Sequence, residues 1–238
     1  MIGSVVSPEL RARVRGLALP VALAFGKMGL TPNALTVLGF GISVVAAIAA
    51  TQQAWILAGL LVIFGGVFDL FDGALARATN RVSRLGAFLD SVFDRAGEAV
   101  LYLGIAIGCL DLNYHPGAIL AATAMGASFM VSYTRAKSES LGFTPGTGMA
   151  NVGVAPREVR LILLTIGLLI TGVLGGLGSY DDAMFGLTWD AGKPELVAAL
   201  GLITILATIT TIQRIVHVTR QTPPESIGAA TPGGDQHP

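Results

Sequence analysis

The most informative stretch of the chain runs from residue 69 to residue 94 and reads DLFDGALARATNRVSRLGAFLDSVFD. It places four carboxylates, Asp69, Asp72, Asp90 and Asp94, in otherwise apolar surroundings. An acidic side chain near the centre of a membrane helix costs about 2.5 to 3.5 kcal/mol on insertion scales, and such residues usually mark a functional site. We therefore expect these carboxylates to have a function that offsets their cost.

The spacing of the acids predicts how they project from the backbone. Asp69 and Asp72 lie three residues apart and Asp90 and Asp94 lie four apart, so each pair shares one face of its helix. A turn near residues 79–83 would make the two helices antiparallel and bring the pairs to similar depth. The sequence thus predicts a carboxylate-lined pocket at a helical hairpin.

Small residues separate the acids, and they indicate a ligand. Gly73, Ala76 and Gly86 carry little bulk where the two helices are expected to face each other, which leaves room beside the carboxylates. Carboxylates combined with substrate phosphates are the usual ligands of Mg²⁺. We predict two Mg²⁺ ions here, or Mn²⁺ in their place. In the alternative reading, the acids only pair with arginines of the same hairpin: Arg77, Arg81, Arg84 and Arg95.

Composition identifies the class of protein. The 238 residues are 53% hydrophobic and 13% charged, with a mean hydropathy of +0.70, which is too apolar for a soluble domain. We predict an all-α integral membrane protein with six transmembrane helices. Stretches of about 20 apolar residues fall near residues 33–52, 54–78, 85–110, 117–137, 158–178 and 195–217.

The distribution of positive charge predicts the orientation in the membrane. Formal net charge is zero, yet 14 of the 15 lysines and arginines fall toward one side of the predicted spans, with Lys193 opposite. By the positive-inside rule, both termini and the mouth of the carboxylate pocket face the cytoplasm across the cell membrane. Nothing in this pattern indicates a nucleic-acid partner. The single cysteine, Cys109, excludes an intrachain disulfide and a structural zinc cluster.

The chain divides into three parts. Residues 1–30 are predicted to form an amphipathic juxtamembrane segment, residues 31–220 the six-helix domain, and residues 221–238 a disordered tail rich in proline and glycine. A frayed basic leader is the alternative for the first part, because Pro20 interrupts its pattern. The apolar positions of the predicted interfacial helix are Leu10, Val14, Leu17, Val21 and Phe25.

Three further local patterns lead to expectations. Thr31 is a candidate N-cap for the first span, with Pro32 in its first turn. The glycine-rich stretch 141–156 suggests a mobile functional loop near the pocket. The outer stretch 178–194 is expected to lie at the interface, and no chemistry is assigned to it.

The hairpin also resembles a known family. Asp69, Asp72-Gly73, Ala76-Arg77, Gly86, Asp90 and Asp94 match all eight specified positions of the CDP-alcohol phosphotransferase signature. The resemblance implies transfer of a substituted phosphate group from a CDP-linked lipid to an alcohol, with release of CMP. It further implies metal ligation by the four aspartates, a general-base role for Asp94, and a homodimer. The donor-binding residues it implies are Asn33, Asp69, Gly73, Ala76, Arg77 and Gly86.

A second group of charges suggests the acceptor. Arg157 and Arg160 lie three apart on one helix face, and Arg214 is expected to approach from the last span. Guanidinium groups from different helices suit a phosphate, although any single arginine can be a positive-inside anchor. We predict an acceptor-phosphate site that includes Arg135, Arg157, Arg160 and Arg214, and the resemblance to the family implies Ser132 as a further member.

Within the family, this arrangement resembles the actinobacterial phosphatidylinositol phosphate synthases. The segment from Arg135 to Glu139 departs from their usual basic pattern, and the acid often found just before the first arginine of the pair is missing. The resemblance implies transfer of a phosphatidyl group from CDP-diacylglycerol to inositol phosphate. The alternatives are glycerol 3-phosphate as acceptor, giving phosphatidylglycerol phosphate, and, outside enzymes, an ion or proton-coupled transporter.

Overall fold

The computed structural model describes residues 8–143, 152–177, 180–182, 187–189 and 192–221. In these ranges the chain forms seven helices and one short hairpin of two strands. The helices are α1 (Pro8–Lys27), α2 (Pro32–Thr51), α3 (Trp55–Ala78), α4 (Arg84–Asp111), α5 (His115–Ser140), α6 (Arg157–Val173) and α7 (Lys193–Thr219). Residues 222–238 of the predicted tail and residues 144–151 of the predicted loop 141–156 lie outside the described residues.

Helices α2 to α7 correspond to the six predicted spans, and local signals set their ends. The Thr31 hydroxyl accepts a hydrogen bond from the backbone N–H of Ala34 at 3.2 Å, which confirms the predicted N-cap. Ser83 caps α4 in the same way, accepting from the N–H of Gly86 at 2.9 Å. The predicted fifth span was too long, because Gly175 and Gly176 adopt positive φ angles and α6 ends at Val173.

Four helices are long and apolar enough to cross a membrane: α2, α3, α5 and α7. The chain is therefore an integral membrane protein. Helix α4 has the length, but charged side chains such as Asp90, Asp94 and Glu98 interrupt its apolar character. Helix α6 is apolar but has only 17 residues. Length and composition alone therefore identify four membrane-spanning helices and not the predicted six, because α4 is too charged and α6 is too short.

Helix α2 lies between α3 and α4, and both pack against it. Glycines on α4 allow the close approach, because a Cβ atom at Gly104 or Gly108 would collide with the backbone of Ala47 or Ala50 on α2. Helices α3 and α4 make little direct contact with each other, in line with the room for a ligand that the small residues between the acids predicted. A cleft is left between them, with α2 behind it. Gly104 and Gly108 serve this internal packing, so they give no support to a homodimer.

The remaining helices form the rest of the core. Helix α5 packs against α4 and α7, and α6 packs against α3 and α7. Small residues again bring backbones together: a Cβ at Gly59 of α3 would lie 3.0 Å from the side chain of Leu169, and one at Gly167 of α6 would collide with Ala199. The result is a large apolar core formed by α2 to α7, and a smaller cluster of Ala22, Leu35, Ala74 and Leu75 lies where α1, α2 and α3 meet.

Helix α1 packs against α3 through small residues and one aromatic ring. Ala18 and Ala22 are buried, and the ring of Phe25 lies 5.7 Å from that of Phe71. Val21, which was predicted to belong to the apolar face, is 42% exposed. An apolar face that lies in the membrane interface is exposed in the protein alone, so the interfacial helix stays a prediction. The side chains of Leu10, Val14 and Leu17 lie outside the described part of the structure.

The outer stretch 178–194 contains the hairpin. Strands β1 (Tyr180–Asp182) and β2 (Leu187–Trp189) pair antiparallel, with Tyr180 opposite Trp189. The sequence prediction assigned no secondary structure to this stretch.

Candidate active site

A cavity of about 280 Å³ opens in the cleft between α3 and α4, and we call it the carboxylate cleft. Its walls carry three of the four predicted aspartates together with apolar residues from α1 and α3. The lining residues are Ala18, Asp69, Leu70, Asp72, Gly73, Arg77 and Asp90. The structure therefore brings together the acids of both helices, as the spacing of the sequence predicted.

Asp72 is the most deeply placed of these lining acids. Its side chain is 6% exposed, and its Oδ2 atom accepts a hydrogen bond from the hydroxyl of Thr36 at 2.7 Å. Thr36 belongs to α2, one turn after the proline that begins the helix. The bond fixes the orientation of a buried carboxylate, which is the usual function of a hydrogen-bond partner behind a metal ligand. The sequence prediction missed Thr36, since nothing in the sequence alone shows that it faces Asp72.

Asp69 and Asp94 share a single cationic partner. Atom Nη1 of Arg157 lies 2.8 Å from Oδ2 of Asp69 and 2.8 Å from Oδ1 of Asp94. Arg95 contributes a second contact, with its Nη1 atom 3.1 Å from Oδ2 of Asp94. Helix α6 thus inserts a guanidinium between the carboxylates of α3 and α4. Arg157, predicted to bind the acceptor, contacts the predicted base directly.

The donor atoms of the cleft suit a hard divalent cation. Asp69, Asp72 and Asp90 present carboxylate oxygens to one cavity, and oxygen ligands are what Mg²⁺ and Mn²⁺ prefer. As their side chains are placed, no three acidic, histidine or cysteine residues of the described chain are close enough to hold an ion together. Since Arg157 already pairs with Asp69, ion binding requires these side chains to rearrange. The chemistry of the donor set fits a divalent metal ion, and the metal site stays a prediction.

Three of the six predicted donor-binding residues line the carboxylate cleft: Asp69, Gly73 and Arg77. A Cβ atom built on Gly86 would lie 3.2 Å from Oδ1 of Asn33, so the start of α2 meets the start of α4. A Cβ built on Gly73 would lie 3.2 Å from Nη1 of Arg77, so this side chain folds back over the glycine. Glycine at both positions keeps space open beside the carboxylates. Ala76 is half-buried on α3, one turn after Asp72.

Two of the predicted acceptor arginines are engaged elsewhere. Arg160, 1% exposed, donates from Nε and Nη2 to the two carboxylate oxygens of Glu98 at 2.9 and 2.8 Å. Arg214, 3% exposed, donates from Nε to the carbonyl of Val152 at 3.0 Å and from Nη1 to the carbonyl of Val131. Both guanidinium groups bind other parts of the protein, whereas the sequence predicted that they bind the phosphate of the acceptor.

The last two predicted acceptor residues lie on α5. Arg135 pairs with Glu139 one turn along the same helix, at 2.9 Å, and both side chains are exposed. Ser132 is half-buried one turn before it. The structure thus places Arg157 at the carboxylate cleft, and it does not gather the five predicted acceptor residues into one set of free side chains.

Comparison with known proteins identifies the class. The model of the CDP-alcohol phosphatidyltransferase family matches residues 29–212. The archaetidylinositol phosphate synthase of Pyrococcus horikoshii is 37% identical over 172 residues, which cover 71% of this chain and 85% of that protein. The phosphatidylinositol phosphate synthase of Cutibacterium acnes is 33% identical over 207 residues, covering 84% and 91%. This chain belongs to the CDP-alcohol phosphatidyltransferase family.

Solved structures extend the likeness to the fold. The phosphatidylinositol phosphate synthase of Mycobacterium tuberculosis with CDP-DAG bound matches with a TM-score of 0.70 and 28% identity, covering 89% of this chain and 96% of that one. The same enzyme in complex with manganese and citrate matches with a TM-score of 0.69, 28% identity, and coverage of 89% and 92%. Membership of this transferase family favours the enzyme hypothesis over the transporter alternative.

Proposed function

We propose that the protein transfers a phosphatidyl group from CDP-diacylglycerol to a hydroxyl of inositol phosphate, giving phosphatidylinositol phosphate and CMP. The observation that carries the proposal is the carboxylate cleft, where Asp69, Asp72 and Asp90 line one cavity and Asp94 contacts Arg157. A phosphoryl-transfer site needs neutralisation of diphosphate charge, a base for the attacking hydroxyl and a cation for the acceptor. These residues can supply all three.

The donor occupies the carboxylate cleft in this proposal. Asp69, Asp72 and Asp90, with Asp94, would hold two Mg²⁺ ions, which supply charge neutralisation at the diphosphate when bound. Arg77 contributes a further positive charge beside Gly73, and Asn33 and Gly86 border the site on the other side. Support for the donor comes from the M. tuberculosis relative, whose structure contains CDP-DAG. Support for a divalent metal comes from its manganese complex.

Asp94 acts as the general base. Its carboxylate lies four residues after Asp90, on the same face of α4, and it is held by Arg157 and Arg95 from two sides. A base must lie within hydrogen-bond distance of the proton that it removes. An acceptor bound through its phosphate to Arg157 would have its hydroxyl groups beside Asp94. Positioning of this kind accounts for a large part of catalysis in two-substrate reactions.

Arg157 is the acceptor-phosphate residue that the geometry supports best. Its Nε atom is buried and has no hydrogen-bond partner among the described residues. A buried donor without a partner is costly, and a phosphate oxygen would satisfy it. Ser132, Arg135, Arg160 and Arg214 remain proposed members of the site, although they would have to exchange their present partners to reach a ligand.

Inositol phosphate is favoured over glycerol 3-phosphate by the names of the relatives. Two relatives from different domains of life are named archaetidylinositol phosphate synthase and phosphatidylinositol phosphate synthase. Both names specify the same inositol phosphate head group and differ in the lipid. Diacylglycerol is our proposal for the lipid, because the bacterial relatives carry the phosphatidyl name.

The membrane arrangement follows from the same reasoning. We propose that α2 to α7 all cross the cell membrane, that α1 lies in the cytoplasmic interface, and that both termini and the cleft face the cytoplasm. The acids of α4 are compatible with a span because Asp90 lines the cleft and because Asp94 and Glu98 pair with arginines of α6. A homodimer is also proposed, on the resemblance to the family alone.

The function is tested by CMP release from purified protein with CDP-diacylglycerol, Mg²⁺ and a set of acceptors. We expect release with inositol phosphate and none above background with inositol, serine or no acceptor. Release with glycerol 3-phosphate in place of inositol phosphate would identify the alternative synthase. No CMP with any alcohol, in a preparation whose folding is verified by its unfolding transition, would contradict the proposed reaction.

A further inference from the structure

Helices α4 and α6 are connected by two successive ion pairs, which we call the ion-pair ladder. Asp94 and Glu98 lie four apart on α4, and Arg157 and Arg160 lie three apart on α6, so each set shares one helix face. The first rung joins Arg157 to Asp94 at 2.8 Å. The second joins Arg160 to Glu98 through two parallel hydrogen bonds of 2.9 and 2.8 Å. The rung at the cleft thus adjoins a second rung deeper in the protein.

The deeper rung also fixes the segment that precedes α6. Arg160 uses its remaining nitrogen, Nη1, to donate to the carbonyl of Ala155 at 3.1 Å. The N–H of Ala155 donates in turn to the hydroxyl of Thr210 on α7 at 3.0 Å. Arg160, Glu98 and Ala155 are all buried. Arg160 therefore links α6 directly to α4, and through Ala155 it links α6 to α7. The planar donors of a guanidinium suit the bidentate contact with Glu98.

Arg157 depends on this anchor because of its position. It is the first residue of α6, so no earlier turn of the helix holds it. Helices α4 and α6 make few close backbone contacts, which leaves the ladder as the main connection between them beside the cleft. The location of the Arg157 guanidinium is therefore set by where the first turn of α6 is held.

We propose that Glu98 is a positioning residue, which holds Arg160 and thereby places Arg157 between Asp69 and Asp94. Glu98 lies away from the cavity and touches no substrate; it acts through the ladder. The inference rests on the proposed function only for what Arg157 binds, since the positioning itself is a property of the protein without substrates.

The test replaces the deeper rung by two apolar side chains of similar length, Glu98→Met with Arg160→Met. Changing both partners avoids an unpaired buried charge, which is the strongly destabilising case. The matched control is Tyr102→Phe, one turn further along α4, which removes a buried hydrogen bond to Ser128 at 3.4 Å and leaves the ladder intact. Full-length proteins in lipid nanodiscs are compared by unfolding midpoint, by KM for each substrate, and by Mn²⁺ affinity without substrates, measured by electron paramagnetic resonance.

A misplacement of about 1 Å can cost up to about 10²-fold in a catalytic site. We expect the Met pair to raise the KM for inositol phosphate by about tenfold or more, with the KM for CDP-diacylglycerol within about twofold of wild type. Mn²⁺ should bind about threefold more tightly or better, because Arg157 no longer competes for the carboxylates. Tyr102→Phe should leave all three values unchanged.

Because Arg160 is itself a proposed acceptor residue, the Mn²⁺ affinity decides the test, and a wild-type Mn²⁺ affinity in a folded Met pair would overturn the proposal whatever the acceptor KM. So would a parallel rise in both KM values with a lowered unfolding midpoint, which indicates general destabilisation. If the wild type transfers nothing, the proposed function fails and Mn²⁺ affinity alone tests the positioning role of Glu98. Tighter Mn²⁺ binding by the Met pair than by the wild type supports that role. Equal Mn²⁺ affinity overturns it. If the Met pair does not fold, Glu98→Gln, which keeps its size and one acceptor, is measured by the same criteria.

Discussion

Atom Nη1 of Arg157 lies 2.8 Å from Oδ1 of Asp94. The same nitrogen lies 2.8 Å from Oδ2 of Asp69, so one atom of α6 joins the acids of α3 and α4. The contact brings the proposed acceptor-phosphate residue next to the proposed base. It also means that a divalent cation and Arg157 compete for the same carboxylate oxygens. Several consequences of this arrangement can be measured.

Replacement of the proposed base should stop transfer without unfolding the protein. Asp94→Asn keeps the size of the side chain and removes the basic oxygen, and general-base catalysis contributes about 10²- to 10⁴-fold. We expect CMP release to fall by a factor in this range. Asp111→Asn, at the far end of the same helix, is the control and should have wild-type activity. Near-normal CMP release by Asp94→Asn would show that another group takes the proton.

Loss of the Arg157 charge should affect the phosphorylated acceptor specifically. Arg157→Gln removes the guanidinium that we assign to the acceptor phosphate, and a charged hydrogen bond contributes about 1.5 to 3 kcal/mol. We expect the KM for inositol phosphate to rise about tenfold or more, because 1.4 kcal/mol corresponds to about tenfold. Arg220→Gln, on the exposed end of α7, is the matched control. Equal effects of the two variants on acceptor KM would refute the phosphate assignment.

The hydrogen bond from Thr36 to Asp72 should support metal binding. Thr36→Val keeps the shape of the side chain and removes the 2.7 Å bond to the buried carboxylate. Loss of a hydrogen bond behind a metal ligand typically weakens metal affinity or activity by about 10- to 100-fold. The Mg²⁺ concentration for half-maximal activity should rise accordingly. In the control, Thr51→Val, the lost bond is a local one to the carbonyl of Ala47, and the Mg²⁺ requirement should stay unchanged.

The close contact between α2 and α4 predicts a stability effect away from the cleft. Gly104→Ala introduces a Cβ where the backbone of Ala47 already lies, and overpacking of a well-packed core costs about 1 to 3 kcal/mol. Its unfolding midpoint should drop. Gly126→Ala on α5 adds the same atom into open space and should leave the midpoint unchanged. Equal midpoints for the two variants would show that α2 and α4 are further apart than described.

The sequence predicted the helices well and the contacts between them less well. Apolar runs and caps such as Thr31 depend on neighbouring residues, so the ends of α2 to α5 fall within a few residues of the prediction. The position of α2 between α3 and α4 was not predicted, because periodicity shows which face of a helix is apolar but not which helix covers it. Gly104 and Gly108 point to a close contact, yet only the fold shows that the partner is α2.

The same distinction applies to the site. Asp69, Asp72 and Asp90 could be grouped from their spacing alone, and they line one cavity. The partners of Arg160 and Arg214 could not be predicted from spacing. Glu98 is distant in sequence from Arg160. Arg214 binds the backbone carbonyls of Val131 and Val152, which no side-chain pattern reveals. Spacing places a charge on a face; the tertiary structure determines what that charge meets.

The central claim is that carboxylates of α3 and α4 hold divalent cations that bind the donor diphosphate. Anomalous scattering from crystals soaked with Mn²⁺ and a CDP-linked donor tests it most directly. The account predicts manganese peaks in the carboxylate cleft within ligand distance of Asp69, Asp72 and Asp90, with the Arg157 side chain moved away from Asp69. A cleft without anomalous density at a nucleotide-bound site would contradict it.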